Sequence, residues 1–278
     1  MSIVYLRCSN GSTISAHARS VHLNSGAQVY ASNRGFDEGT GPGTPIADMR
    51  RRPEQDAHVG GMGASYGGTG GGSCYTTQTC SGSGEAWSLG TSYGVAASPW
   101  SFGSGGAMGL AHGMPVWGTG GKGGGRVKLQ AFDVVSVRGT VEANGERAYA
   151  KTYTPVVEWS GAAISGGGGS GGSIQLIAKR IVGNGNVNAN GGGVRDSKPG
   201  GGGGGRVALI AATVIEPSIT VSVDGGSTSA AADCYGASGT VYVDCMSAAS
   251  CQTDVLLVAI TTMIPQVSRG EWILHADH

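Results

Sequence analysis

Pairs of carboxylates on neighbouring coils of a repeat could divide general acid and base work in hydrolysis or elimination on a polysaccharide, one holding a proton while the other activates the attacking group. The acids to consider in the repeated part of this chain are Asp133, Glu142, Glu216 and Asp224. Aligned on the repeat described below, Glu142 falls level with Asn188 and with Thr220 or Ser222, while Asp133, Glu216 and Asp224 take other repeat positions. One carboxylate therefore stands where a cluster is required, and no catalytic residue is expected. The histidines His17, His22, His58, His112, His275 and His278 accompany no Ser or Cys nucleophile motif. The glycine runs lack the Lys-Ser/Thr that a phosphate loop needs, and calcium-binding nonapeptides are absent. Asp37-Glu38 reads as a solvated acidic pair. No cofactor or metal is expected.

The six cysteines, Cys8, Cys74, Cys80, Cys234, Cys245 and Cys251, show no CxxC and no histidine at zinc-ligand spacing. Cys74 and Cys80 bracket a short polar stretch and three others crowd the last quarter, which suits disulfide clamps in an oxidising compartment. Free buried thiols are the alternative. Asn10-Gly11-Ser12 is an N-glycosylation acceptor at Asn10, in keeping with an extracellular or cell-surface location.

Charge narrows the classes further. Lys+Arg and Asp+Glu are 18 each, so no basic footprint for nucleic acid exists. The longest apolar stretch, Val255 to Ile264, is about half the ~20 residues of a membrane span. No secretory leader is read at the start, and the abrupt ends suggest a piece of something longer.

What must position these residues is a repeat. Gly123 to Ala131 followed by Gly139 to Gly145 lines up with Ser170 to Ala178 followed by Gly185 to Gly191, and with Gly203 to Ala211 followed by Ser218 to Gly225. Ser173 to Arg206 is 33 positions and Arg206 to Thr240 is 34; Asn144 to Asn190 is 46, the unit carrying an extra loop. Ser20 to Asn33 follows the same grammar. Each unit holds two segments of period-2 alternation, such as Val127, Leu129 and Ala131 against Lys128 and Gln130, and ends the second with Asn-Gly or Asp-Gly. Such units bury their apolar edges by stacking. The fold expected is all-β, a parallel β-helix (β-solenoid), with Asn33, Asn144, Asn190 and Asp224 stacked at one turn and the side chains of Asn144 and Asn190 forming an amide ladder.

The 54 glycines come in runs, notably 166–169 and 200–205, that immediately precede strands. Extended, polyproline-II-like segments packed side by side explain that placement better than flexible linkers, because Gly-Gly-Gly-Arg-Val recurs at both Gly123 and Gly203. The organisation read is N-terminal coils over 1–34, a Gly/aromatic-rich, disulfide-tied insertion over 35–120, solenoid repeats over 121–245 and a strand or cap region over 246–278. Aromatic residues of the insertion, Tyr66, Trp87, Tyr93, Trp100, Phe102 and Trp117, either pack onto the helix or form a binding surface.

Gly63 to Gly72, Tyr93 to Gly106, Gly171 to Ala178 and Gly185 to Gly191 together resemble a Gly-rich repeat of very large surface and extracellular proteins of protists, algae and bacteria. The resemblance covers about residues 20 to 226; the segment after Cys234 and Met49-Arg-Arg-Arg-Pro53 depart from it. It implies a β-helical, extracellular, structural or adhesive module and brings no catalytic residues. The function expected is a structural, non-enzymatic subunit of a surface fibre, sheath or appendage that associates with copies of itself. The alternative is an adhesin binding glycans through the 35–120 region.

Overall fold

The computed structural model describes residues 5–7, 11, 13–47, 58–74, 80–81, 87–111, 114–150, 166–194, 199–216, 218–228, 234–245 and 273–274. These residues form an all-β protein with no α-helix, built around two parallel sheets. One holds the long strands β2 (Thr13–Leu23), β4 (Arg126–Val137), β6 (Ser173–Val182) and β8 (Arg206–Ile215), then β10 (Thr240–Cys245) and β11 (Ile273–Leu274), ordered in space as in the chain. The other holds the short strands β1 (Tyr5–Arg7), β3 (Gln28–Tyr30), β5 (Thr140–Glu142), β7 (Asn186–Asn188) and β9 (Thr220–Ser222). Each long strand is followed after a short turn by a short one, so one unit contributes one strand to each sheet.

Register follows the repeat. Arg126, Ser173, Arg206 and Thr240 are successive cross-strand partners, as are Val29, Val141, Val187 and Val221. A one-residue slip would turn every apolar side chain outward, so the alternation fixes the pairing. Val127, Leu129, Ile174, Leu176, Val207 and Leu209 from the long sheet meet Val141, Val187 and Val221 from the short one in a continuous buried core. The core is thin because its units are aliphatic, each buried Val, Leu or Ile contributing about 1.5–3 kcal/mol.

The long strands run past the segment that alternation marked. Between Ala131 and Val134 the chain of β4 carries one residue more than its partner β2, and β8 does the same against β6. Such a bulge breaks the period-2 pattern and bends the strand. Phe132, outward like Lys128 and Gln130, is 80% exposed, while Val135 and Val137 beyond the bulge return to the core.

The third element is glycine. In the 167–172 run the N–H groups of Gly167 and Ser170 donate to the carbonyls of Ala107 and Ser104, those of Gly168 and Gly171 to Gly200 and Gly203, and those of Gly169 and Gly172 to Glu146 and Ala143. The 200–205 run repeats the scheme: Gly200 and Gly203 donate to Gly61 and Ala64, Gly201 and Gly204 to Cys234 and Ala237, Gly202 and Gly205 to Gly192 and Ala189. Successive donors face three different neighbours, and the direction returns every third residue. Backbone surrounds each run on all sides. A Cβ on Gly204 would lie 1.9 Å from the Val223 carbonyl oxygen and 2.4 Å from the Gly239 nitrogen.

The 35–120 region, read as an insertion, supplies part of this layer. Gly103 and Gly106 donate to Gly124 and Gly121, and Gly67, Gly68 and Gly71 donate into the 201–204 stretch. Backbone groups of these glycines are satisfied by the repeats themselves, which an excursion hung outside the coils would have to satisfy otherwise. Short antiparallel pairings decorate it: Ile46–Ala47 with Trp87–Ser88, and Ser73–Cys74 with Cys80–Ser81.

Candidate functional site

The turn after each short strand forms a ladder, though its rungs differ from the expected amide stack. Asn190 N–H donates to Asn144 Oδ1 at 2.8 Å, and Asp224 N–H donates to Asn190 Oδ1 at 2.8 Å. Each side-chain carbonyl thus accepts from the backbone of the next level, extending the sheet's hydrogen bonding one residue beyond its last strand position. Asn33 does not belong to this column. Asn144 N–H donates to Ser32 Oγ at 3.0 Å, so Ser32 holds the position of Asn144 and Asn190. Asn33 sits one residue further, its N–H bonding the Asn144 carbonyl as Gly145 bonds that of Asn190. Its φ of 61° is left-handed, a conformation asparagine tolerates. Asn190→Ala removes the acceptor of the Asp224 N–H and of Ser222 Oγ, 2.5 Å away, and is expected to cost about 2 kcal/mol in urea unfolding.

The sheet places Glu142 level with Tyr30, Asn188 and Ser222. No group of three or more His, Cys, Asp or Glu suited to a metal occurs among the described residues. Cys234 and Cys245 are both disulfide-bonded. The backbones of Cys74 and Cys80 face each other across an antiparallel pair. Cys8, Cys251, Asn10 and the Val255 to Ile264 stretch lie outside the described residues.

The aromatic candidates separate into packed and presented ones. The first outward-facing position of the long strands is occupied by Thr13, Arg126, Ser173, Arg206 and Thr240 in a row. Contacts from residues 93 to 102 meet this row. Tyr66 is fully buried, 4.8 Å between ring centroids from Tyr93, with its hydroxyl 2.6 Å from Ser173 Oγ. It offers no face to a ligand. Tyr93, half-buried, donates its hydroxyl to the Phe102 carbonyl at 2.6 Å. Arg206 stands 5.5 Å from the Tyr66 ring, and its Nε donates to the Tyr93 carbonyl and its Nη1 to Thr240 Oγ1. Arg126 lies 3.8 Å from the Phe102 ring centroid and 4.8 Å from that of Trp100, donating through Nη1 to the Trp100 carbonyl and through Nε to Thr13 Oγ1. Lys128 Nζ is 5.8 Å from the same indole. Trp100 remains 42% exposed. The side chains of Trp87 and Trp117 lie outside the described residues.

Sequence reasoning found these aromatics but missed Arg126 and Arg206 as their partners. The signal was present in the recurrence of Gly-Gly-Gly-Arg-Val, which starts two strands with an outward arginine. Burial pulls the Arg126 guanidinium below its usual range and pushes the Tyr66 and Tyr93 hydroxyls up. A hydroxyl raised in the folded state stabilises fully below the ordinary tyrosine range near pH 10, and the contribution is lost as pH climbs from there through the folded value. Stability in thermal melts is therefore expected to hold through neutral pH and fall above about pH 10. Tyr93→Phe should lessen that alkaline slope.

No helix of the described residues is long and apolar enough to cross a membrane. Comparison with models of protein families, with curated proteins and with solved structures finds no match.

Proposed function

We propose that this is a structural, non-enzymatic extracellular protein: a β-solenoid whose coils each comprise a long strand, a short strand and a polyproline-II-like glycine run, and which joins copies of itself in a surface fibre, sheath or appendage. The observation that carries the reading is the three-residue hydrogen-bond period of the glycine layer beside two in-register parallel sheets. Three residues per turn is the repeat of the polyproline II helix, which has no internal hydrogen bonds and so can spend every N–H on a neighbour. An all-backbone layer of that kind gives axial continuity and offers few side chains for chemistry. Self-association through the coil ends is supported by β2, whose inward residues Ile14, Ala16 and Val21 are only partly covered. Disulfide bonding of Cys234 and Cys245 favours an oxidising compartment. The kinship proposed with Gly-rich modules of large surface proteins rests on segments 63–72 and 93–106 beside the repeats and on 171–178 and 185–191, which run into β6 and β7.

Electron microscopy of the purified protein, with mass analysis under non-reducing conditions, tests the reading. Filaments with a regular axial repeat are expected. Dispersed single particles at all concentrations would overturn self-association.

A second reading, an adhesin that binds glycans, is favoured by half-exposed Trp100 beside Arg126 and Lys128. Deleting residues 35–120 would not separate the two, because that stretch is part of the glycine layer. Trp100→Ala does: assembly survives under both readings, and glycan binding is lost only under the second.

A further inference from the structure

The outer face of the long-strand sheet carries an open groove of about 730 Å³, lined by His17, Gln130, Phe132, Ile177, Lys179 and Ile210 among others. It crosses four strands at one level, since His17, Gln130, Ile177 and Ile210 are cross-strand partners. Phe132 stands at one side of it, 80% exposed. Two residues before Gln130 on the same face of β4 stands Lys128, beside the half-exposed indole of Trp100. Lys128 and Phe132 are separated by roughly 13 Å of strand. The face thus presents Phe132 beside the groove and, about 13 Å away along β4, Lys128 next to the indole of Trp100, outside the groove itself.

Cations outnumber acids on this face. Lys128, Lys179 and His17 have no carboxylate at ion-pair distance among the described residues. Asp133 is held by Arg19 at 2.8 Å, and Asp244 stands one strand beyond Ile210. Arg126 sets its guanidinium on Thr13, on the Trp100 carbonyl and on two rings, with no acid in contact. Rings that supply contact area, lysines with no carboxylate beside them among the described residues and an open trough suit a linear polymer with anionic groups spaced along an otherwise ring-shaped, partly apolar chain. A nucleic acid would need many more phosphate contacts than so few cations supply on a chain of zero net charge.

The geometry points to an acidic polysaccharide, carboxylated or sulfated, running along β4 from Trp100 to the groove at Phe132, with sugar faces against those two rings and its anionic groups on Lys128 and Lys179. This rests on the adhesive reading and adds to it the charge class of the glycan and a seat on the sheet face rather than in residues 35–120 alone.

The test measures binding of the full chain to polygalacturonate, dextran sulfate, uncharged dextran and poly-dT, at low and high salt, for the natural protein and for Lys128→Glu/Lys179→Glu, Phe132→Ser and the remote exposed-site control Arg138→Glu. Thermal melts establish that each variant is folded. Expected is binding to one or both acidic polysaccharides that weakens with salt, falls about tenfold or more in the double charge reversal, falls severalfold in Phe132→Ser and is unchanged in Arg138→Glu. Which polymer binds tells carboxylate from sulfate. Acid-glycan binding that the double reversal leaves intact overturns the groove. Equal binding of uncharged dextran, lost in Trp100→Ala, overturns the acidic preference while the adhesive reading stands. Binding of poly-dT as tight as that of the acidic glycans overturns the ligand class, and no binding to any glycan removes both the groove and the adhesive reading.

Discussion

Gly204→Ala is expected to destabilise the protein by about 4 kcal/mol or to prevent folding, a loss at the upper end for single substitutions. The methyl group would sit 1.9 Å from the Val223 carbonyl oxygen and 2.4 Å from the Gly239 nitrogen, and neither is the far end of a side chain that could swing away. Relief would require moving two segments of main chain. Those segments are themselves tied: Gly239 N–H donates to the Val223 carbonyl, and Gly204 N–H to that of Ala237. Each buried hydrogen bond opened without replacement costs about 1–3 kcal/mol. Gly39 is the comparison. Its φ of 67° is left-handed but nothing lies within 4 Å of its Cβ position, so Gly39→Asn should change stability by less than about 1 kcal/mol. Urea unfolding followed by far-ultraviolet circular dichroism measures both. A Gly204→Ala protein within 1 kcal/mol of the natural one would mean that the layer separates readily and does not lock the strands.

Leu209→Ala should cost about 3 kcal/mol, while Ile210→Ala, one residue along, should cost under about 1. Leu209 is buried between Leu176 and Val243 in the stacked core column, whereas Ile210 is half-buried on the outer face. The stack does not collapse readily around a hole at Leu209, because the strands above and below are held by their own ladders at fixed spacing. Equal losses at the two positions would show that both faces of the sheet are covered to the same degree. The same unfolding measurements decide it.

How much of this was legible in the sequence can be judged residue by residue. Parallel pairing of Ser173, Arg206 and Thr240 follows from spacings of 33 and 34 once equivalent strands are required to stack, since aliphatic alternation tolerates no one-residue slip. The second half of β4 was not legible, because the bulge around Phe132 and Asp133 interrupts the alternation before Val135 and Val137 resume it. Asn33 was placed in the turn ladder on residue type, yet Ser32 fills that position, and a hydroxyl accepts the same N–H as an amide carbonyl. Residue identity could not separate two adjacent acceptors.

Strand order, the inward set of Val, Leu, Ile and Ala, and the side-by-side packing of glycine runs are properties of repetition, and repetition is written in the chain. Which neighbour each glycine faces is not, because Gly63, Gly103 and Gly204 carry no side chain to distinguish one partner from another. Only the folded arrangement assigns them, by a hydrogen bond that returns every third residue and by the absence of room for a Cβ. The same holds for the 35–120 region, whose composition suggested an excursion and whose backbone completes the layer. It holds too for the outer face, where the first residues of separate strands set Arg126 against Trp100 and Phe102 and Arg206 against Tyr66, a meeting of positions about 25 to 140 apart in the chain that no local pattern encodes.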